Sequence, residues 1–160
     1  MTQSAERRPA ADVLSAAVGF LSAREHSRAE LRRKLLARRH PDDLVESVLD
    51  DLEQRRLQSD ARFAEAYVEQ RLRKGYGPLR IDGELRARGV AVALIEQFLR
   101  EDDDACTERL CAIAARRFGD QPTDDPRELA RRARFFEQRG FPSRLVRRYL
   151  AGAGEAGICV

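Results

Sequence analysis

The sequence predicts an all-α fold: an elongated tandem array of three three-helix repeats of helix-turn-helix type. Three observations predict it. One arrangement of apolar, charged and glycine positions returns about every fifty residues, the apolar positions follow helical spacing, and no stretch alternates convincingly as a strand does. A period of this length signals stacked copies of one small unit, and a unit that small buries too little surface to be robust alone.

Written without gaps, Leu31, Leu35, Leu44, Val45, Val48 and Leu49 fall on Ile81, Leu85, Leu94, Ile95, Phe98 and Leu99, an offset of fifty. An offset of fifty-one carries the second copy onto Phe136, Leu145, Val146, Tyr149 and Leu150, with Gly89 landing on Gly140. Arg132 occupies the place of Leu31 and Ile81, so the third copy is the most diverged. The expected organisation is a disordered leader over residues 1–11, repeats over 12–58, 59–104 and 105–151, and a flexible tail over 152–160.

The first repeat opens with an amphipathic helix from Val13, its apolar face built from Val13, Leu14, Ala17, Val18 and Leu21. Ser27 starts the second helix and pairs with Glu30 three residues on as a capping box. Pro41, followed by Asp42 and Asp43, opens the third, its acidic first turn matching the positive end of the helix dipole. In the second repeat Asp60 is the expected N-cap of a helix reaching Arg73, and Gly75–Pro78 forms a turn. Gly89 ends the middle helix in the left-handed conformation, and a third helix runs over 92–100. The third repeat has helices from Ala105 to Gly119, from Arg127 to Arg139 and from Ser143 to Ala151, with DQPTDDP as the longer connection.

Length and composition bound the function. A chain of 160 residues with 42% hydrophobic content has no room for a large enzyme, and no apolar run approaches the ~20 residues of a membrane span. No basic-then-apolar signal opens the chain, so a cytoplasmic location is expected. Cys106, Cys111 and Cys159 lack metal-ligand spacing and read as reduced thiols, while His26 and His40 sit at helix boundaries in solvent-facing or capping roles. Neither a phosphate-binding loop, an HExxH helix nor a nucleophile elbow is present. Asp82 and Glu84, two apart on a helix, point in different directions and read as solvated charges instead of a metal-dependent nuclease site. No catalytic residue, cofactor or metal is expected.

The net charge of +3 conceals strong blocks. Arg24 to His40 holds seven cations against two acids, and Asp42 to Glu53 holds six acids and no base. Arg71 to Arg88 holds six cations against two acids, and Arg127 to Arg148 eight against two. Such blocks are either a surface for phosphates or acidic protein, or solvent-facing charges with basic and acidic helices of adjacent units pairing weakly. Arg71, Arg73, Lys74 and Arg80 favour the first reading because they crowd one glycine-containing turn. Tyr76 in that turn either stacks on a base or partner side chain, or closes the turn. Phe63, Tyr67, Phe98, Phe118, Phe135, Phe136 and Tyr149 fall at core positions.

The run DARFAEAYVEQRLRKGYGPLRIDGELRARGV, residues 60–90, strongly resembles the middle of the RecX family, bacterial regulators of the RecA recombinase. Asp60, Phe63, Ala64, Tyr67, Arg71, Gly77, Pro78, Arg80, Ile81, Leu85 and Gly89 carry the match, and REHSRAELRRKLLAR at residues 24–38 resembles the family's other recurrent stretch. The resemblance covers roughly residues 13–150 and is weakest in the last third. It implies tandem three-helix units that bind RecA and RecA filaments on DNA, restrain their recombinase and ATPase activities, and make weak nonspecific contact with single- or double-stranded DNA. A monomer is expected. The RecA- or DNA-contact candidates are Arg71, Arg73, Lys74, Tyr76, Arg80, Arg86, Arg88, Arg144, Arg147 and Arg148. The alternative is a helix-turn-helix-like protein acting on DNA directly. Asp50, Asp51, Glu53 and Glu96 weigh against it, since they occupy the helices where recognition side chains would lie.

Overall fold

Most helices begin and end where the sequence supplies a chemical reason. The computed structural model describes residues 3–100, 102–119 and 123–152, and among them are nine α-helices and no strand. They are α1 (Gln3–Ala23), α2 (Arg28–Ala37), α3 (Asp42–Gln54), α4 (Asp60–Arg73), α5 (Pro78–Arg86), α6 (Val92–Phe98), α7 (Asp103–Phe118), α8 (Pro126–Arg139) and α9 (Ser143–Gly152). Ser27 caps α2 by accepting from the Glu30 N–H, Asp102 caps α7 by accepting from Ala105, and Asp125 caps α8 ahead of a first-turn proline. Gly140 ends α8 with φ of 83°, the left-handed conformation a glycine adopts without steric cost.

Several expectations are corrected. Helix α1 begins at Gln3, so residues 3–11 extend the first helix instead of forming a disordered leader, as their Ala, Glu and Arg content permits. Residues 153–160 of the expected tail, like residues 1 and 2, lie outside the described residues. Val18, placed on the apolar face, is exposed. Only the serine half of the capping box forms as expected: Glu30 turns its carboxylate to Arg24 at 3.1 Å and Arg88 at 3.3 Å. Asp60 is the first residue of α4, but its carboxylate accepts from the Arg28 N–H at 2.7 Å and so serves the start of α2. Cys106 is a buried thiol, whereas Cys111 is disulfide-bonded and not a reduced thiol. Sequence spacing carries no information on which cysteines the fold brings together.

The chain forms two compact units: residues through Tyr67 with Leu85–Phe98, and Val68–Glu84 with residues from Leu99 onward. The division falls inside α4 and α5, so the middle repeat contributes to both. In the first unit Val13, Ala17, Leu31, Leu35, Val45, Leu49 and Leu52 form a fully buried core. Phe63, Ala64, Leu85, Val90 and Ile95 are also buried there. In the second unit Leu110, Phe136, Phe141, Leu145 and Val146 form the core. Phe136 is its hub, with the rings of Phe135, Phe141 and Tyr149 set edge-on at 5.1, 5.5 and 5.6 Å. Arg132, the cation in an apolar repeat position, is buried, with its guanidinium bonded to Glu128 at 3.0 Å and to the Tyr149 hydroxyl at 3.2 Å. Bonds from Arg131 and Arg132 hold the Glu128 carboxyl down to about 2.

Helix ends meet helix starts in both units, at equivalent repeat positions. In the second unit the Gly77 N–H donates to the Arg139 carbonyl at 2.7 Å, and the Leu79 N–H donates to the Gly140 carbonyl at 3.0 Å. Amides left unpaired at the start of α5 thus satisfy carbonyls at the end of α8, and opposite dipole ends face each other. This approach needs two glycines. A Cβ on Gly77 would lie 2.4 Å from the Gly140 oxygen, and one on Gly140 would lie 2.4 Å from the Arg80 nitrogen. In the first unit Ser27 replaces the amide: its hydroxyl donates to the Arg88 carbonyl at 2.7 Å, while Gly89 leaves room for Ala29, whose Cβ would lie 2.6 Å from an added one.

His26, expected in a solvent-facing or capping role, is buried beside this first junction. Its Nδ1 lies 3.0 Å from the Arg24 carbonyl and its Nε2 2.8 Å from the Lys34 ammonium, an arrangement that suits a neutral ring donating at Nδ1 and accepting at Nε2. Burial, with repulsion from Arg24 and Lys34, lowers its pKa against the opposing carbonyl bond and the Glu30 charge.

Two outcomes test the packing. Gly77→Ala should cost about 2–4 kcal/mol in urea unfolding, whereas Gly83→Ala, with nothing within 4 Å of the added carbon, should be neutral or gain about 0.5–1 kcal/mol. For His26 the unfolded chain binds the proton more readily. Stability should therefore fall as pH drops through the ordinary value of 6.5 toward the lowered one. A urea midpoint compared at pH 7.5 and 5.5 should show this loss in the native chain and a flatter response in His26→Asn.

Candidate functional site

The cation-rich turn between α4 and α5 lies in the second unit. Helix α4 ends in a left-handed Gly75 with φ of 76°, and the Tyr76 N–H returns to the Arg71 carbonyl at 3.1 Å. Arg139, at the end of α8, donates from Nη1 to the carbonyls of Lys74 and Gly75 at 2.9 and 3.0 Å. A side chain at Gly75 would start 3.0 Å from that nitrogen, so the glycine also admits the guanidinium.

Three guanidiniums surround the half-buried Tyr76 ring, those of Arg71 and Arg80 at 4.6 Å and that of Arg139 at 5.4 Å. The ring's negative faces draw like-charged groups into one cluster, and Glu84 supplies the balancing carboxylate. It bonds Arg71 Nε at 2.6 Å and Arg80 Nε at 3.0 Å. Arg80 also donates to the Gln138 carbonyl at 3.1 Å. Tyr76 therefore closes the turn and spaces its cations, with its ring already stacked.

The ten candidates fall into three groups. Arg71, Arg73, Lys74, Tyr76 and Arg80 come together around this turn, where Arg73 and Lys74 are exposed and Arg73 makes a solvent-facing pair with Glu69 at 3.3 Å. Arg86 and Arg88 belong to the first unit; Arg88 is part-buried, paired with Glu30 and stacked on Tyr67 at 4.6 Å. Arg144, Arg147 and Arg148 are exposed on α9, where Arg144 grips Asp103 and Arg148 donates to the Thr107 hydroxyl. The bonds from Arg144 lower the Asp103 pKa.

The basic block of α2 has a different use. Arg28 reaches Glu46, Asp50 and Glu53 at 2.7, 2.8 and 3.2 Å, and Arg32 reaches Asp42 and Glu46 at 2.6 and 2.5 Å. These blocks of opposite sign pair within one repeat. Among the described residues no group of three or more His, Cys, Asp or Glu could hold a metal, and no helix is long and apolar enough to cross a membrane. Sequence reasoning missed Arg139. Its position at the helix end before Gly140 was visible, but its reach back to the Gly75 turn depends on the junction.

Fold and surface together define a tandem trihelical-repeat protein with its cations gathered at helix ends. Family models of the first, second and third three-helix domains of RecX match residues 14–52, 59–99 and 103–150. The chain is 44% identical over 136 residues to the regulatory protein RecX of Pseudomonas putida strain GB-1, covering 85% of this chain and 87% of that one. To the regulatory protein RecX of Chromohalobacter salexigens it is 43% identical over 139 residues, 87% and 91% of the two chains. A crystal structure of RecX from Lactobacillus salivarius superposes with a TM-score of 0.76 at 20% identity, covering 92% and 97%. The chain belongs to the RecX family of regulatory proteins.

The Tyr76 cluster yields a stability prediction. Tyr76→Ala should cost about 1–2 kcal/mol by removing the surface that holds three guanidiniums. Tyr76→Phe, which keeps the ring, should stay within about 0.5 kcal/mol of the native chain. Urea midpoints of the two variants check this.

Proposed function

We propose that the chain binds RecA and RecA–DNA filaments and restrains their recombinase and ATPase activities. Family membership carries the reading, and the exposed cations beside the Gly75 turn support it. Arg73 and Lys74 present positive charge to solvent, where an acidic protein surface or a phosphate backbone can meet it. Several such contacts along one chain reinforce one another, because each binding event raises the local concentration for the next. The chain acts by occupying its partner, as a monomer in the cytoplasm, and carries out no chemistry of its own.

Weak nonspecific DNA contact is a second component of the reading. Exposed Arg147 and Arg148 on α9 favour it, since there the acids of the other third helices are missing. Such contact shows a steep salt dependence without sequence preference.

RecA-catalysed ATP hydrolysis on single-stranded DNA, measured with substoichiometric amounts of this chain, is the test. Inhibition is expected, and Arg73→Glu with Lys74→Glu should raise the half-inhibiting concentration about tenfold while leaving the melting curve in place. An unchanged hydrolysis rate at every concentration would sink the reading. Arg71 is left out of the charge reversal because its pairing with Glu84 makes it part of the fold.

A further inference from the structure

Next to the Tyr76 cluster, and wholly inside the second unit, lies a groove of about 640 Å³. Leu72, Ala112, Ile113 and Phe135 give it an apolar lining. Arg73, Lys74, Arg109, Arg116, Arg117 and Arg139 also line it, and among the described residues no acidic side chain does. Helix α7 supplies Arg109, Ala112, Ile113 and Arg116 at spacings of three, four and seven, so one helical stripe alternates cation and hydrocarbon.

We propose that this groove binds an acidic peptide segment bearing an aliphatic anchor, with Leu or Ile seated on Ala112 and Ile113 and carboxylates facing the arginines. The excess of cations in the lining suits an anion, and its apolar part suits a ligand that also carries hydrocarbon. A single-stranded nucleic acid satisfies the first condition and fails the second. Sequence-tolerant strand binding rests on bare aromatic faces for the bases, and the Phe135 ring is already covered by Arg139 at 4.6 Å, with Arg117 at 6.0 Å. Tyr76 is enclosed by three guanidiniums. What the groove offers is a hydrocarbon slot between cations, the counterpart of an acidic amphipathic segment that places apolar residues three or four apart. The inference goes beyond RecA regulation, for it holds whichever protein supplies the segment.

Fluorescence anisotropy with the full chain tests it. The probe is a short labelled peptide of Glu and Asp around two leucines three residues apart; the comparisons are the same peptide with both leucines replaced by serine, and labelled oligothymidylate. Variants Arg116→Glu and Ala112→Glu lie at exposed positions, so folding survives, and Arg33→Glu in the first unit makes the same charge change elsewhere. Binding of the leucine peptide is expected, weakened about tenfold by Arg116→Glu through loss of attraction and gain of repulsion. Ala112→Glu and the serine peptide should show losses of similar size, and Arg33→Glu none. Equal affinity for the leucine and serine peptides, or leucine-peptide binding indifferent to both groove variants, would overturn the proposal. So would oligothymidylate binding that Ala112→Glu weakens while the leucine peptide fails to bind. RecA is absent from this measurement, so its failure leaves the hydrolysis test untouched, and the reverse holds as well.

Discussion

The structure depends on helix ends that satisfy each other. A helix leaves amides unpaired at its start and carbonyls unpaired at its end, and these short helices have many such groups for their length. At the Gly77–Gly140 junction the two sets pair directly, backbone to backbone, at 2.7 and 3.0 Å. Each bond contributes about 0.5–1.5 kcal/mol net, and the missing side chains allow the approach. The Ser27–Arg88 junction solves the same problem in the first unit with a hydroxyl and one glycine. Because α5 takes part in one junction at its start and in the other at its end, the middle repeat is divided between the two compact units.

The junctions also decide which cations are committed to the fold. Arg139 is drawn onto the Gly75 turn, Arg71 and Arg80 onto Tyr76 and Glu84, and Arg88 onto Tyr67 and Glu30. Arg28 and Arg32 are held by the acids of α3. Arg73, Lys74, Arg116 and Arg147 stay at the surface. A count of arginines by helix therefore overstates the charge available to a partner, and the distinction between internal and outward cations follows from the junction geometry.

Much of the fold was legible. The fifty-residue period, Ser27, Pro41, Pro78, Gly89 and Gly140 locate most of the helix boundaries within a few residues. Arg39 stands where Gly89 and Gly140 stand in the other copies and also adopts a positive φ, 63°. The two glycines have a packing reason: Gly89 lies against Ala29 and Gly140 against Arg80, each near the start of the preceding middle helix. Burial of His26 and the capping of α2 by Asp60 were not legible, because each depends on residues over thirty positions away in the chain. The turn cluster was legible as to Arg71, Arg73, Lys74, Tyr76 and Arg80. Arg139 and the α7 stripe were not, since a stripe on one helix becomes a groove only when its neighbours are placed.

Trihelical DNA-binding domains commonly seat a phosphate on the bare amides that open a helix. Here two such openings are already filled: carbonyls of α8 occupy the mouth of α5, and Asp60 and Ser27 occupy the mouth of α2. At these two helix starts, main-chain donors that could hold an anion serve instead as mortar between helices. At those two points the backbone is committed to joining helices, and the charge that still faces solvent is carried by side chains such as Arg73, Lys74 and Arg147.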